Sequence, residues 1–91
     1  MNDVSTTATP ARTPEAVTRE IREFLTGRVK QDVPDDQDLF RTGLVSSMFA
    51  MELVVFLEQT YGIAIVGPDL KLDNFRTVES MTALVGRLLD E

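Results

Sequence analysis

Two adjacent serines, Ser46 and Ser47, stand where a polar loop gives way to an apolar run. The surrounding segment reads Asp38-Leu39-Phe40-Arg41-Thr42-Gly43-Leu44-Val45-Ser46-Ser47-Met48-Phe49-Ala50-Met51-Glu52-Leu53-Val54-Val55-Phe56-Leu57-Glu58. A serine hydroxyl at the start of a helix can cap it by accepting a backbone N–H, or it can stay free for covalent modification. Nucleophilic catalysis by either serine would need an adjacent base. The chain has no histidine and no cysteine, so Ser-His-Asp chemistry and thiolate metal sites are excluded within it. The acidic run Asp35-Asp36-Gln37-Asp38 lacks the glycine and terminal glutamate spacing of an EF-hand loop, so no metal site is expected there. A self-sufficient enzyme is not expected from this inventory.

The elements that must position the serines follow from pattern. Ninety-one residues make one small domain. The segment 1–12 is rich in Thr and Ala without apolar periodicity and is expected to be a disordered tail, leaving 13–91 as the folded domain. Thr13-Pro14-Glu15 is a helix start, with a capping hydroxyl, proline at the first position and an acid in the first turn. Val17, Ile21, Phe24 and Leu25 then form one stripe at helical period, and Gly27 can close the helix unless Val29 extends it.

A long connection, residues 28–46, carries Pro34 and the acidic run, with Leu39 and Phe40 as its inward pins. The second helix is predicted from Ser47 to about Tyr61, with Leu53, Val54, Leu57 and Tyr61 on its buried face. Gly62 ends it. Ile63-Ala64-Ile65-Val66 has strand composition but no partner to pair with, so it is expected as an extended buried connector. A short helix is predicted from Pro68 to about Asn74, with Leu72 and Phe75 inward. A last helix is capped by Thr77, with Val78, Met81, Leu84, Val85 and Leu88 on its stripe. The fold class is therefore all-α, a small antiparallel bundle of three main helices plus one short helix.

Charge narrows the partners. The net charge is −6. Residues 1–34 balance five bases (Arg12, Arg19, Arg22, Arg28, Lys30) against five acids (Asp3, Glu15, Glu20, Glu23, Asp32), so the excess lies in 35–91. Such a surface repels nucleic acid. No apolar run approaches a membrane span and no signal-peptide pattern opens the chain, so a cytoplasmic, monomeric protein is expected.

The chain resembles the acyl carrier proteins over Thr13 to Leu89. The likeness is carried by Asp38-Leu39-Phe40-x-x-Gly43-Leu44-Val45-Ser46-Ser47-Met48 and by Glu52-Leu53-Val54-x-x-Leu57-Glu58. The resemblance implies that a serine at the start of the second helix carries a 4'-phosphopantetheine arm, installed by a phosphopantetheinyl transferase. The arm would hold acyl groups as thioesters. The family pattern is Asp-Ser-Leu/Met with Glu or Gln five residues after the serine, which places the arm on Ser47 and Ser46 in the usual Asp position. The run Phe49-Ala50-Met51 is similar to discrete carriers of polyketide extender-unit pathways of the methoxymalonyl type.

The implied partners are the transferase, an acyl-loading enzyme, and an acyltransferase or ketosynthase of a polyketide synthase. Met48, Met51 and Val55 are expected to form an apolar docking strip, with Glu52 and Glu58 adding charge for basic patches on partners. An aminoacyl or peptidyl carrier of a non-ribosomal pathway, and an unmodified helical interaction module, are the alternatives.

Overall fold

The computed structural model describes residues 13–90. The expected disordered tail over 1–12 lies outside them. Three helices carry the structure: α1 (Pro14–Val29), α2 (Ser47–Tyr61) and α3 (Val78–Leu89). No strand occurs among the described residues, and the 63–66 connector is not helical.

Each helix starts as its sequence dictates. Thr13 accepts the N–H of Ala16 at 3.1 Å and Thr77 accepts that of Ser80 at 2.9 Å, each from an extended backbone. The ends differ from one another. Gly62 closes α2 with φ 66°, the left-handed conformation that glycine adopts without strain. In α1, by contrast, Gly27 stays inside the helix, and the closing left-handed residue is Lys30 at φ 63°. A lysine there carries the Cβ strain that glycine would avoid.

The core is one cluster. Val17, Ile21 and Leu25 of α1 meet Leu53, Val54, Leu57 and Tyr61 of α2 and Val78, Met81, Leu84 and Val85 of α3. Val33, Leu39, Val45, Ile65 and Phe75 enter from the connections. Fully burying an aliphatic side chain of this kind contributes about 1.5–3 kcal/mol. The helices therefore stand on packing, with hydrogen bonds fixing their ends.

At the edges of the core, polar side chains link the helices. The hydroxyls of Thr18 and Thr82 lie 3.0 Å apart between α1 and α3. The Tyr61 hydroxyl donates to Glu20 at 2.7 Å, which orients the far end of α2 against α1.

Three expectations are corrected here. The short helix over 68–74 is instead two 3₁₀ turns, Gly67–Asp69 and Leu72–Phe75, separated by Leu70 and the extended Lys71. In a 3₁₀ turn, residues three apart eclipse, so Leu72 and Phe75 would share one side, but only Phe75 is buried while Leu72 is 44% exposed. The 63–66 connector is not buried throughout either: Ile65 is inside, Ile63 half-buried, and Val66 exposed. Phe40 is half-buried against the core, a looser pin than the fully buried Leu39.

Candidate functional site: the start of the second helix

The loop before α2 is held from both sides. Leu39 fills the core, and its backbone N–H donates to the carbonyl of Arg76 at 2.7 Å, just ahead of α3. Val45 N–H returns to the Leu39 carbonyl at 3.0 Å. Between them the chain turns through Gly43 at φ 80°, whose N–H donates to the Phe40 carbonyl at 3.1 Å. A β-carbon at Gly43 would meet no neighbour, so the constraint there is the left-handed backbone rather than space.

Asp38 organises the first half of this loop. Its carboxylate accepts the N–H of Arg41 at 2.9 Å and of Phe40 at 3.2 Å, and Arg76 reaches it at 3.4 Å. The Arg41 N–H, above all, holds the Asp38 carboxyl below the ordinary aspartate value; partial burial opposes it, and the Arg76 charge adds to it. Arg76 in turn binds Asp73 at 2.7 Å, so the loop, the second 3₁₀ turn and the start of α3 are tied through one guanidinium. A second tie is the Glu79 N–H, donating to the Asp35 carbonyl at 3.1 Å. Asp35 Oδ1 sits 3.4 Å from Arg22 Nε, close enough for charge attraction but without hydrogen-bond geometry.

On this platform the two serines have different environments. Ser46 has an extended backbone, and its hydroxyl accepts the N–H of Phe49 at 3.2 Å, the N-cap of α2. Ser47 is the first helical residue; it is exposed, and its hydroxyl has no hydrogen-bond partner among the described residues. Unpaired N–H groups of the first turn and the positive end of the helix lie beside it, an environment that favours an anion such as a phosphodiester.

The residues expected to dock partners separate into two groups. Met48 is 84% exposed, Met51 61% and Val55 48%, so these three lie on the open face of α2 and Met51 is not a core residue. The two acids are not free on that face. Glu52 pairs with Arg28 of α1. Glu58 turns towards the connector and accepts the N–H of Ile65 at 2.8 Å. Each is engaged within the fold, so neither stands as an unpaired charge on that face.

Sequence reasoning missed the cluster beneath Glu52. Phe24 stacks on Phe56 with centroids 4.1 Å apart and faces Phe49 at 6.0 Å. The Arg28 guanidinium lies 4.9 Å from the Phe24 ring centre and 5.7 Å from that of Phe49. Phe49 is therefore an α1–α2 packing residue. At about 100° per residue it points some 160° round the helix from Ser47. The available signal was an aromatic residue on each helix at helical spacing from a charged one of opposite sign, Phe24 with Arg28 and Phe49 with Glu52.

The surface beside these residues is grooved. An open groove of about 410 Å³ is lined by Phe24, Arg28, Met51, Glu52, Val55, Phe56 and Gln59. Another, about 370 Å³, includes Ser46, Met48, Phe49 and Leu44 and shares Arg28 and Glu52 with the first. A larger groove of about 740 Å³ runs along the other side of α1, past Glu15, Arg19 and Asp32, and contains neither serine. No group of metal-ligating side chains occurs among the described residues.

This geometry fits what the whole sequence matches. The family model described as phosphopantetheine attachment site covers residues 15–85. The chain belongs to that family, the acyl carrier proteins. It is 32% identical to a D-alanyl carrier protein of Leuconostoc citreum (strain KM20) over 76 residues, 81% of this chain and 97% of that protein. It is 38% identical to the probable acyl carrier protein PigG of Serratia sp. (strain ATCC 39006) over 66 residues, 72% of this chain and 75% of that one. A D-alanyl carrier protein of Lactobacillus delbrueckii subsp. bulgaricus matches at 25% over 77 residues, 82% of this chain and 96% of that protein.

Carriers of this family hold their cargo on 4'-phosphopantetheine bound covalently to a serine, and do no catalysis themselves. They are served by a phosphopantetheinyl transferase and by enzymes that load and process the cargo. The all-helical architecture agrees with such a carrier, and no described helix is long and apolar enough to cross a membrane.

Proposed function

We propose that this chain is a stand-alone acyl carrier whose arm is attached to Ser47, and that it serves polyketide or related secondary-metabolite synthesis in the cytoplasm. The observation that carries the choice of serine is the division of labour at the α2 start. Ser46 is occupied as the cap, and the Ser47 hydroxyl is exposed and has no partner among the described residues. With Glu52 five residues on and Gly43 four residues before, Ser47 also keeps the family register. The folded carrier domain begins at Thr13 on this reading.

The transferase would take the 4'-phosphopantetheinyl phosphate from coenzyme A onto the Ser47 oxygen, releasing the adenosine bisphosphate and the hydroxyl proton. The chain then presents the arm's thiol for thioester formation. Its contribution is to hold that thiol near successive enzymes at high effective concentration. Partners on this reading are an acyl-loading enzyme and an acyltransferase or ketosynthase of a polyketide synthase, with the chain acting as a monomer. Support for the acyl reading comes from the probable acyl carrier among the relatives and from the Phe49-Ala50-Met51 run.

An aminoacyl cargo is the second reading. It is favoured by the D-alanyl carriers, which this chain matches over nearly their whole length. Isolation of the loaded carrier from the cells that make it, followed by weighing the fragment ejected from the arm, decides between them. A malonate-derived or other acyl mass supports the first reading. An amino acid on the thiol establishes the second.

A further inference from the structure

Phe24 and Phe56, stacked with centroids 4.1 Å apart, line the groove of about 410 Å³ between α1 and α2, and both are only half-buried. Beside them stand the exposed Met51 and Val55. The polar members of the groove have bonding capacity to spare. The Gln59 amide is exposed and has no partner among the described residues; Arg28 gives one nitrogen to Glu52 and makes no other hydrogen bond among them. The groove runs on towards the start of α2. Arg28 and Glu52 also line the groove of about 370 Å³, which holds Ser46 and Met48, the residues on either side of Ser47. The groove of about 740 Å³ shares no lining residue with these two.

We infer that in the modified chain the 4'-phosphopantetheine arm lies back along α2 in the groove between α1 and α2, with its thiol end over the Phe24–Phe56 stack. The inference rests on the proposed attachment to Ser47 and deepens it by naming the residues that shelter the thiol between enzymes. Reach is the first argument. From the serine oxygen to the sulfur the arm has about 14 bonds, and at the roughly 3.3–3.6 Å that three backbone bonds span when extended it reaches about 16 Å. A helix rise of about 1.5 Å per residue sets Val55 about 12 Å and Gln59 about 18 Å along α2 from Ser47. Direction agrees, since at about 100° per residue Met51 and Val55 lie within about 80° of Ser47 round the helix. Chemistry is the second argument. The geminal methyls and methylenes of the arm suit the ring faces, Met51 and Val55, and its amides suit Gln59 and the spare donors of Arg28. An enzyme that uses the thiol must then draw it out of the groove.

The test is nuclear magnetic resonance of the isotopically labelled chain carrying an unlabelled arm, set against the unmodified chain. Overhauser contacts should run from the arm's geminal methyls and methylenes to the rings of Phe24 and Phe56 and to the Val55 methyls. Shifts on modification should extend to Arg28 and Gln59. Alkylation of the thiol by iodoacetamide should run about three- to tenfold slower than that of free pantetheine, because a docked population of about 70–90% leaves only the remainder reactive. Met51→Asn combined with Val55→Asn should remove the contacts and bring the rate within about twofold of free pantetheine. Both positions are exposed, so the double variant should keep the wild-type circular dichroism.

Shifts confined to the first turn of α2, with a thiol that reacts like free pantetheine, leave the arm in solvent and overturn the inference. So do contacts from the arm to Val66, Leu70 or Leu72, which place it against the connector instead. A slow thiol whose rate the double variant leaves unchanged also overturns it, as do concentration-dependent shifts at the groove that modification does not alter, which assign the groove to a second copy. A chain that accepts no pantetheine from any transferase fails earlier, at the carrier reading, and takes this inference with it.

Discussion

Replacing the two serines one at a time should separate stability from modification. Ser46→Ala removes the oxygen that accepts the Phe49 N–H at 3.2 Å and leaves that donor to water. Losing a serine N-cap costs about 1 kcal/mol, within a range of about 0.5–2. In a domain of this size, 1 kcal/mol corresponds to a Tm drop of roughly 4–8 °C. With a urea slope of about 1 kcal/mol per molar, the same loss moves the midpoint by about 1 M.

Ser46→Asp keeps an accepting oxygen and places a negative charge at the positive end of α2, so it should match or exceed wild type by a few tenths of a kcal/mol. Ser47→Ala deletes an exposed hydroxyl without a partner among the described residues, and should stay within about 0.5 kcal/mol. Paired thermal and urea melts of the four proteins check this. Equal stability of Ser46→Ala and wild type, or a larger loss in Ser47→Ala than in Ser46→Ala, would refute the assignment of the cap.

Three further outcomes follow from the same structure. Lys30→Gly relieves a left-handed residue at the end of α1 and should raise stability by about 1 kcal/mol, read as a higher melting temperature. Glu58→Ala strips the Ile65 N–H of its acceptor and should cost about 1–3 kcal/mol, while Glu58→Gln, which retains an oxygen, loses less; faster amide exchange at Ile65 in the alanine variant would locate the effect. The third concerns pH. Because Asp38 is held below its ordinary value near 3.8, its contribution is fully present above that value and is lost as pH falls through the lower folded value. Acid melts below about pH 4 should therefore show wild type losing stability relative to Asp38→Asn, with the gap closing as the carboxylate protonates.

The regular part of the fold was legible because it depends on periodicity. Leu53, Val54, Leu57 and Tyr61 fall on one face of any helix through them, and that face is the buried one. The hydroxyl caps at Thr13 and Thr77 were legible for the same local reason. What escaped depends on partners distant in sequence. Nothing local to Glu58 distinguishes a carboxylate offered to solvent from one folded back onto the N–H of Ile65. Arg28 and Glu52 are separated by a whole loop, and only the antiparallel pairing of α1 and α2 brings them together over Phe24 and Phe49.

Leu72 was misplaced as well: it opens the second 3₁₀ turn three residues before the buried Phe75, yet stands 44% exposed, and the local pattern gives no sign of it. Of the two ends the pattern allowed for α1, Gly27 or an extension to Val29, the second is the one formed, and nothing local marked Lys30 as the left-handed residue that closes it. At the site itself, register alone singled out Ser47. The structure adds a physical reason for Ser46 not to compete, because its oxygen is committed to the Phe49 N–H.

The attachment of the arm to Ser47 is tested most directly by intact-mass and peptide mass spectrometry after incubation with a phosphopantetheinyl transferase and coenzyme A. Wild type and Ser46→Ala should each gain a single pantetheinyl group, mapped to the peptide containing Ser47, and Ser47→Ala should gain none. Modification of Ser47→Ala, or an unmodified Ser46→Ala that is still folded, would contradict the account.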